Sequence, residues 1–170
     1  MDITTTRLLL IPVGPELLQA VIDRDYVTAG ALYQLTLPPT WPGNRAAVDG
    51  LAIHLQALRA DPSELVWRVR LLVLKDDRIA IGSINLKGPP RDGQVEAGWA
   101  LLPSMRRMGF AREAVAAVFD WLKAQRDVRR IIATIDDDNV ASVRIATQLG
   151  MRKTAERQGE LPVYELTDWW

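Results

Sequence analysis

The stretch QVEAGWALLPSMRRMGFAREAVAAVFDWLKAQRDVRRIIATI, residues 94–135, constrains the fold more than any other part of the chain. Its first ten residues, 94–103, read as a strand. From Gly109 to about residue 126 the apolar residues Ala111, Ala114, Val115, Val118 and Leu122 recur at helical spacing. RRIIATI, residues 129–135, reads as a buried strand. A strand, a helix of that length and a second strand make a crossover, and a crossover joins strands that run in the same direction. A parallel pair is therefore expected inside whatever sheet this chain builds.

The other elements favour antiparallel neighbours. RLLLIPV (7–13) reads as a buried strand, after which Gly14 and Pro15 open a short helix through Leu17, Leu18, Val21 and Ile22. A proline-rich loop, 34–44, ends at Asn44, the expected cap of a helix over 45–59 with Ala47, Leu51, Leu55 and Leu58 on one stripe. Residues 65–93 read as two strands joined at Asp76-Asp77 and closed by a Gly/Pro turn. DDDN (136–139) caps a helix over 140–149 that stops at Gly150, and the tail makes two strands around Gly159. The order is strand, two helices, three antiparallel strands, helix, strand, helix, two strands. This is a mixed α/β chain, and its 170 residues suit one domain, 1–170.

Charge and composition exclude several classes. Twenty-one basic residues balance twenty-one acidic ones, which argues against a nucleic-acid binder. There is no cysteine, so disulfides, thiolate metal sites and a cysteine nucleophile are excluded, and no metal is expected. The N-terminus lacks a basic leader, and no run approaches the roughly 18 apolar residues of a membrane span. A cytoplasmic protein is expected, without a membrane partner.

The junction PSMRRMGFAREA (103–114) joins strand to helix with two arginines and a glycine. The first amides of a helix have no internal partner, and the helix dipole places positive charge there. Gly109 permits close backbone approach, Ala111 keeps the face small, and Arg106 and Arg107 add full charges. Such a nest suits a pyrophosphate. The plainer reading is that Gly109 turns a corner and the arginines are solvated.

Taken with NVASVRIATQLGM (139–151), this junction is similar to the GNAT N-acetyltransferases, and within them to the branch of the ribosomal-protein alanine acetyltransferases RimJ and RimL. TTTRLLLIPV, IGSINLKGPP and VEAGWALLPSMRRMGFAREAV resemble that branch's opening strand, central strands and cofactor loop, so the resemblance covers nearly the whole chain. It implies a mixed, mostly antiparallel, strongly twisted sheet with a splayed parallel pair, flanked by about four helices. It also implies acetyl-CoA as cosubstrate within a core spanning 94–151. The pyrophosphate would sit on the amides of Arg106, Arg107, Met108, Gly109, Phe110 and Ala111, and the pantetheine arm on backbone groups of Trp99, Ala100 and Leu101. The branch often has glycine where Arg107 stands, so an altered loop shape is expected.

The resemblance further implies that residues 14–60 roof the acceptor site, with Tyr33 and Trp41 lining it. Ser142 is the candidate for contacting the departing thiolate, against a role as an ordinary first-turn serine. Many relatives use a tyrosine acid further along that helix; the matching position here is Ala146. Asn139 either contacts the pantetheine arm or caps its helix. Glu96 is the candidate base, or else a strand-face charge paired to Arg68 or Arg70. Asp136, Asp137 and Asp138 read as a solvated capping loop, and His54 as a packed histidine. Trp67 and Trp121 read as core, while Trp169 and Trp170 are expected to pack on the domain or on a second copy in a homodimer.

The expected activity is direct acyl transfer to a primary amine, on a small molecule, amino acid or peptide. Two rivals remain: an acyl-CoA sensor without turnover, and a nucleic-acid module using Arg106, Arg107, Arg129 and Arg130.

Overall fold

The structure, a computed structural model, describes residues 1–167 and 169. A single eight-stranded sheet is built from β1 (Ile3–Thr4), β2 (Leu8–Pro12), β3 (Val69–Leu74), β4 (Ala80–Leu86), β5 (Gln94–Leu101), β6 (Arg130–Thr134), β7 (Arg152–Gln158) and β8 (Leu161–Leu166), in the order β1-β2-β3-β4-β5-β6-β8-β7. Every neighbouring pair is antiparallel except β5 and β6, which run parallel as the crossover demands.

Five α-helices cover the sheet: α1 (Pro15–Ile22), α2 (Tyr26–Tyr33), α3 (Arg45–Ala60), α4 (Phe110–Lys123) and α5 (Val140–Gln148). Strand side chains alternate between two cores. Leu71 and Val73 join Leu17, Leu18, Leu51, Leu55 and Leu58 beneath α1 and α3. Leu72, Leu8 and Leu10 join Ala114, Val115, Val118, Phe119 and Leu122 of α4 on the other face. This period of two splits the apolar run of β3 into two half-cores, each side chain contributing about 1.5–3 kcal/mol by leaving water.

Two sequence expectations change. The helix α2 adds a fifth flanking helix to the expected four, because its sequence, YVTAGALY, carries no amphipathic stripe to betray it. It is held instead by its ends: the Asp25 carboxylate accepts from the Thr28 N–H, and Gln34 closes it in the left-handed region. Residues 65–67, expected to begin a strand, belong to a 3-10 turn over Pro62–Trp67. There Trp67 meets Trp121 at a tilt of 53° with ring centroids 4.9 Å apart, and both pack against the α4 core. Trp169 packs against the same core, while Trp170 lies outside the described residues.

Candidate functional site

The parallel pair is short. Gln94, Val95 and Glu96 pair with Arg130, Ile131 and Ile132, and the pairing stops there. Beyond Glu96, β5 continues beside β4 alone as far as Leu101, while β6 continues beside β8 to Thr134. The two strands part, and a wedge opens between them.

The backbone parity of β5 decides what faces this wedge. Lys87 donates its N–H to the Glu96 carbonyl, and Leu102 donates to that of Ile81. Even-numbered residues of β5 therefore spend their backbone groups on β4, and odd-numbered ones turn theirs to the opening. Trp99 turns its backbone groups there, and Leu101 its N–H, while the Leu101 carbonyl accepts from Arg106 Nε at 3.4 Å. Ala100 does not: its carbonyl points at Gly82, where an added Cβ would stand 2.2 Å from that oxygen.

The wedge leads to the loop 103–112. A 3-10 turn over Pro103–Met105 lifts the chain off β5, Arg107 bends it at φ +64°, and Gly109 at φ +82° starts α4 without a side-chain cap. From Arg107 to Arg112, six consecutive backbone N–H groups make no hydrogen bond among the described residues. The side chains of Arg106, Arg107 and Met108 are exposed, whereas Phe110 is buried and only its amide is offered. Arg107 takes the left-handed conformation open to glycine, so its larger side chain is absorbed as local strain. Unsatisfied amides, the α4 dipole and two exposed arginines make an anion cradle.

Arg7, to which the sequence assigns no role beyond its place in the opening strand motif, holds that cradle. Its guanidinium donates to the Met108 carbonyl at 2.9 Å and to the Glu113 carboxylate at 2.7 Å, and lies 4.3 Å over the Phe110 ring. Thr5 also donates to Glu113, at 2.6 Å. Burial raises the Glu113 pKa, but these donors outweigh it and hold it below the usual carboxylate range.

Glu96 sits at the apex of the wedge, on the face covered by α1–α3. The Thr134 hydroxyl donates to its Oε1 at 2.9 Å across the opening, and Lys87, its cross-strand neighbour, forms an ion pair with it. The partner is Lys87, not Arg68 or Arg70 as expected. Arg68 is bound to Glu64. Arg70 is buried on the opposite face, where it donates to the Met1 and Val66 carbonyls and lies 4.8 Å over Trp121. On the Glu96 face, Asn85 stands opposite Gly98 with a buried Oδ1 that has no partner among the described residues, and the space above Gly98 is open.

At the start of α5, the Asn139 Oδ1 accepts from the Ser142 N–H at 3.2 Å, the geometry of an N-cap. The Ser142 side chain is half-buried, and its hydroxyl makes no hydrogen bond among the described residues. Ala146 is fully buried in the main core. Asp137 holds Lys153 and Asp136 caps its own loop, so two carboxylates of the acidic run have structural partners.

Among the expected acceptor residues, Trp41 is 2% exposed within the α1–α3 core. The Tyr33 hydroxyl accepts from the Gly14 N–H at 2.7 Å at the mouth of α1. His54 is buried in α3, its Nδ1 without a partner among the described residues. Burial, and then the charges of Arg68 and Lys87, push its pKa down to about 4, so it is neutral at pH 7. No helix among the described residues is long and apolar enough to cross a membrane.

Comparison with known proteins agrees with this architecture. A family model described as an acetyltransferase (GNAT) domain matches residues 7–152. The chain is 28% identical over 99 residues to the uncharacterized N-acetyltransferase YnaD of Bacillus subtilis (strain 168), covering 58% of this chain and 57% of that protein. It thus spans little more than half the length of that relative. To YjdG of the same organism, also an uncharacterized N-acetyltransferase, it is 28% identical over 156 residues, 89% of this chain and 92% of the other. Mycobacterium smegmatis RimJ in complex with CoA-disulfide shares the fold with a TM-score of 0.66 at 18% identity, over 99% of this chain and 88% of that one. The family match runs from Arg7 at the anion cradle, through the wedge and its apex, into β7, and the chain belongs to the GNAT acetyltransferase family.

Proposed function

We propose that the protein acts in the cytoplasm as an acyltransferase, moving the acetyl group of acetyl-CoA onto a primary amine by direct attack. The observation that carries the reading is the run of six unpaired amides from Arg107 to Arg112 at the outer end of the wedge. These amides fit a pyrophosphate, and the open backbone edge of Trp99 with the Leu101 N–H fits an amide-bearing arm. A bound thioester supplies an activated carbonyl. The residues of this chain supply position and proton transfer.

Glu96 at the apex accepts a proton from the incoming ammonium, directly or through water, and so frees the lone pair that attacks the thioester carbonyl. The second nitrogen proton, lost once the C–N bond has formed, matches the one taken up by the departing thiolate. Asn85 Oδ1 is an acceptor on the same face that orients the amine. As the C–S bond breaks, the Ser142 hydroxyl donates to the departing sulfur. Asn139 serves by capping α5 and so fixing Ser142. Tyr33 and Trp41 shape the roof from within its packing. No covalent intermediate on the protein is required.

The test is calorimetric titration with acetyl-CoA, with dephospho-CoA and adenine nucleotides as controls, followed by thiol-release assays on an amine panel. Saturable binding that needs both pyrophosphate and pantetheine, with turnover lost in Glu96→Gln, is the expected result. Absence of binding sinks the reading. Because Lys87 and Thr134 already occupy Glu96, a sensor without turnover is the second reading. Tight binding with no amine acetylated would select it.

A further inference from the structure

A cleft of about 560 Å³ opens on the face of the sheet covered by α3, and Glu96 belongs to its wall as well as to the wedge. The other walls are Ile53 and Ala57 of α3, and three cationic residues: Arg68, Lys87 and Arg91. Wedge and cleft meet at the last paired residue of β5. That residue is Glu96.

The charges around it are unequal. Arg68 spends its guanidinium on Glu64 and donates its remaining arm to the Lys87 carbonyl at 3.3 Å, which props the loop after β4. Gly88, at φ +130°, lets that loop pass the guanidinium: an added Cβ would stand 3.3 Å from Arg68 Nη2. Lys87 is paired with Glu96. The exposed Arg91 side chain has no hydrogen bond or ion pair among the described residues, and Asp92 beside it does not line the cleft. Counting Lys87 and Arg91 against Glu96, the lining carries one excess positive charge.

A simple ammonium brought to Glu96 would lie close to the Lys87 ammonium. Two like charges about 5 Å apart at a protein surface cost roughly a hundredfold in affinity before salt and side-chain motion reduce it. An amine that carries its own carboxylate cancels that cost.

Resting on the acetyl-transfer reading above, we propose that the acceptor is a small amine bearing a carboxylate on the same or the adjacent carbon, as an α-amino acid does. Its carboxylate seats between Lys87 and Arg91, and its ammonium takes over Glu96. Lys87 exchanges one carboxylate for another, so no charge is left unpaired. A protein N-terminus, whose α-carboxyl is an amide, lacks this anchor.

The test uses matched pairs, L-alanine against L-alaninamide and L-glutamate against its α-amide, with thiol release as the activity readout. The acids are expected to exceed the amides about tenfold in kcat/KM, through KM. Arg91→Gln should shrink that ratio to about threefold or less. Amides equal to or better than acids overturn the proposal. A second readout needs no turnover: alanine, and not alaninamide, should shift the backbone amide resonances of Gly88, Arg91 and Glu96 in the labelled protein. Unmoved resonances at millimolar alanine overturn it as well. Failure of acetyl-CoA to bind removes the transferase reading instead, while the resonance shifts still decide whether the cleft takes a carboxylate.

Discussion

The Arg7 guanidinium and the Glu113 carboxylate, 106 residues apart in sequence, meet at 2.7 Å. This ion pair ties the start of β2 to the first turn of α4, and through the Met108 carbonyl it reaches the anion cradle itself. Partly exposed pairs contribute little to global stability, but this one restrains a loop whose amides must point one way.

Arg7→Ala and Glu113→Gln should therefore weaken acetyl-CoA binding about five- to tenfold, with Tm lowered by only a few degrees. Arg7→Lys should recover part of the loss, since it keeps the charge without the fork. Calorimetry beside thermal melts separates the two effects. Unchanged affinity in both variants would mean the cradle holds its shape unaided.

Positions 107 and 109 should respond in opposite ways. Gly109 stands at φ +82°, and a Cβ there would lie 3.3 Å from the Arg7 guanidinium. Gly109→Ala should cost about 1–2 kcal/mol of stability. Gly109→Glu should in addition abolish measurable acetyl-CoA binding in a still-folded protein, since its carboxylate repels the pyrophosphate. Arg107→Gly relieves the strain at φ +64° and should leave melting almost unchanged or slightly raised. Its affinity should fall modestly, by about the loss of one exposed charge.

At α5, cap and hydroxyl can be separated. Asn139→Ala removes the N-cap acceptor and should cost about 1 kcal/mol, read in denaturant unfolding. Ser142→Ala leaves that cap intact, because only the Ser142 backbone N–H takes part. It should lower kcat while the dissociation constant for acetyl-CoA holds steady. Full activity in Ser142→Ala would retire the hydroxyl as proton donor.

His54 makes stability depend on pH. Its pKa in the folded protein is about 4, below the ordinary value, so on acidification the unfolded chain takes up the proton first. The stability is complete above about pH 7 and declines as pH falls through about 6.5 toward 4, by about 3 kcal/mol at most. His54→Leu lacks this contribution. Between about pH 7.5 and pH 5 the unmodified protein should lose roughly 4–8 °C of Tm more than the variant. Parallel slopes would show that the histidine is not shielded in the folded state.

Elements with a strong local period are legible in the sequence: α3, α4, β6 and the caps at Asn44 and Asn139 all lie where spacing and capping chemistry put them. The short α2 is not, since YVTAGALY has no apolar stripe and depends on Asp25, Gln34 and the packing of Gly30 against the Leu35 carbonyl. The cradle shows in the sequence as a glycine with arginines at a strand–helix junction. The residue that holds it does not, because Arg7 is one arginine among many until the fold sets it beside Glu113.

The sequence by itself determined the parallel pair and the order of every strongly periodic element, because periodicity, capping and crossover length are local properties of a chain, and its motifs carried the resemblance to the family. Only the tertiary structure decided where β5 and β6 part, which carboxylate stands at the apex, and that Lys87 and Thr134 rather than Arg68 or Arg70 hold it. The Thr134 contact crosses the long β5–β6 connection and the Lys87 contact a short loop. Both depend on register, face and twist together, which no local stretch of sequence states.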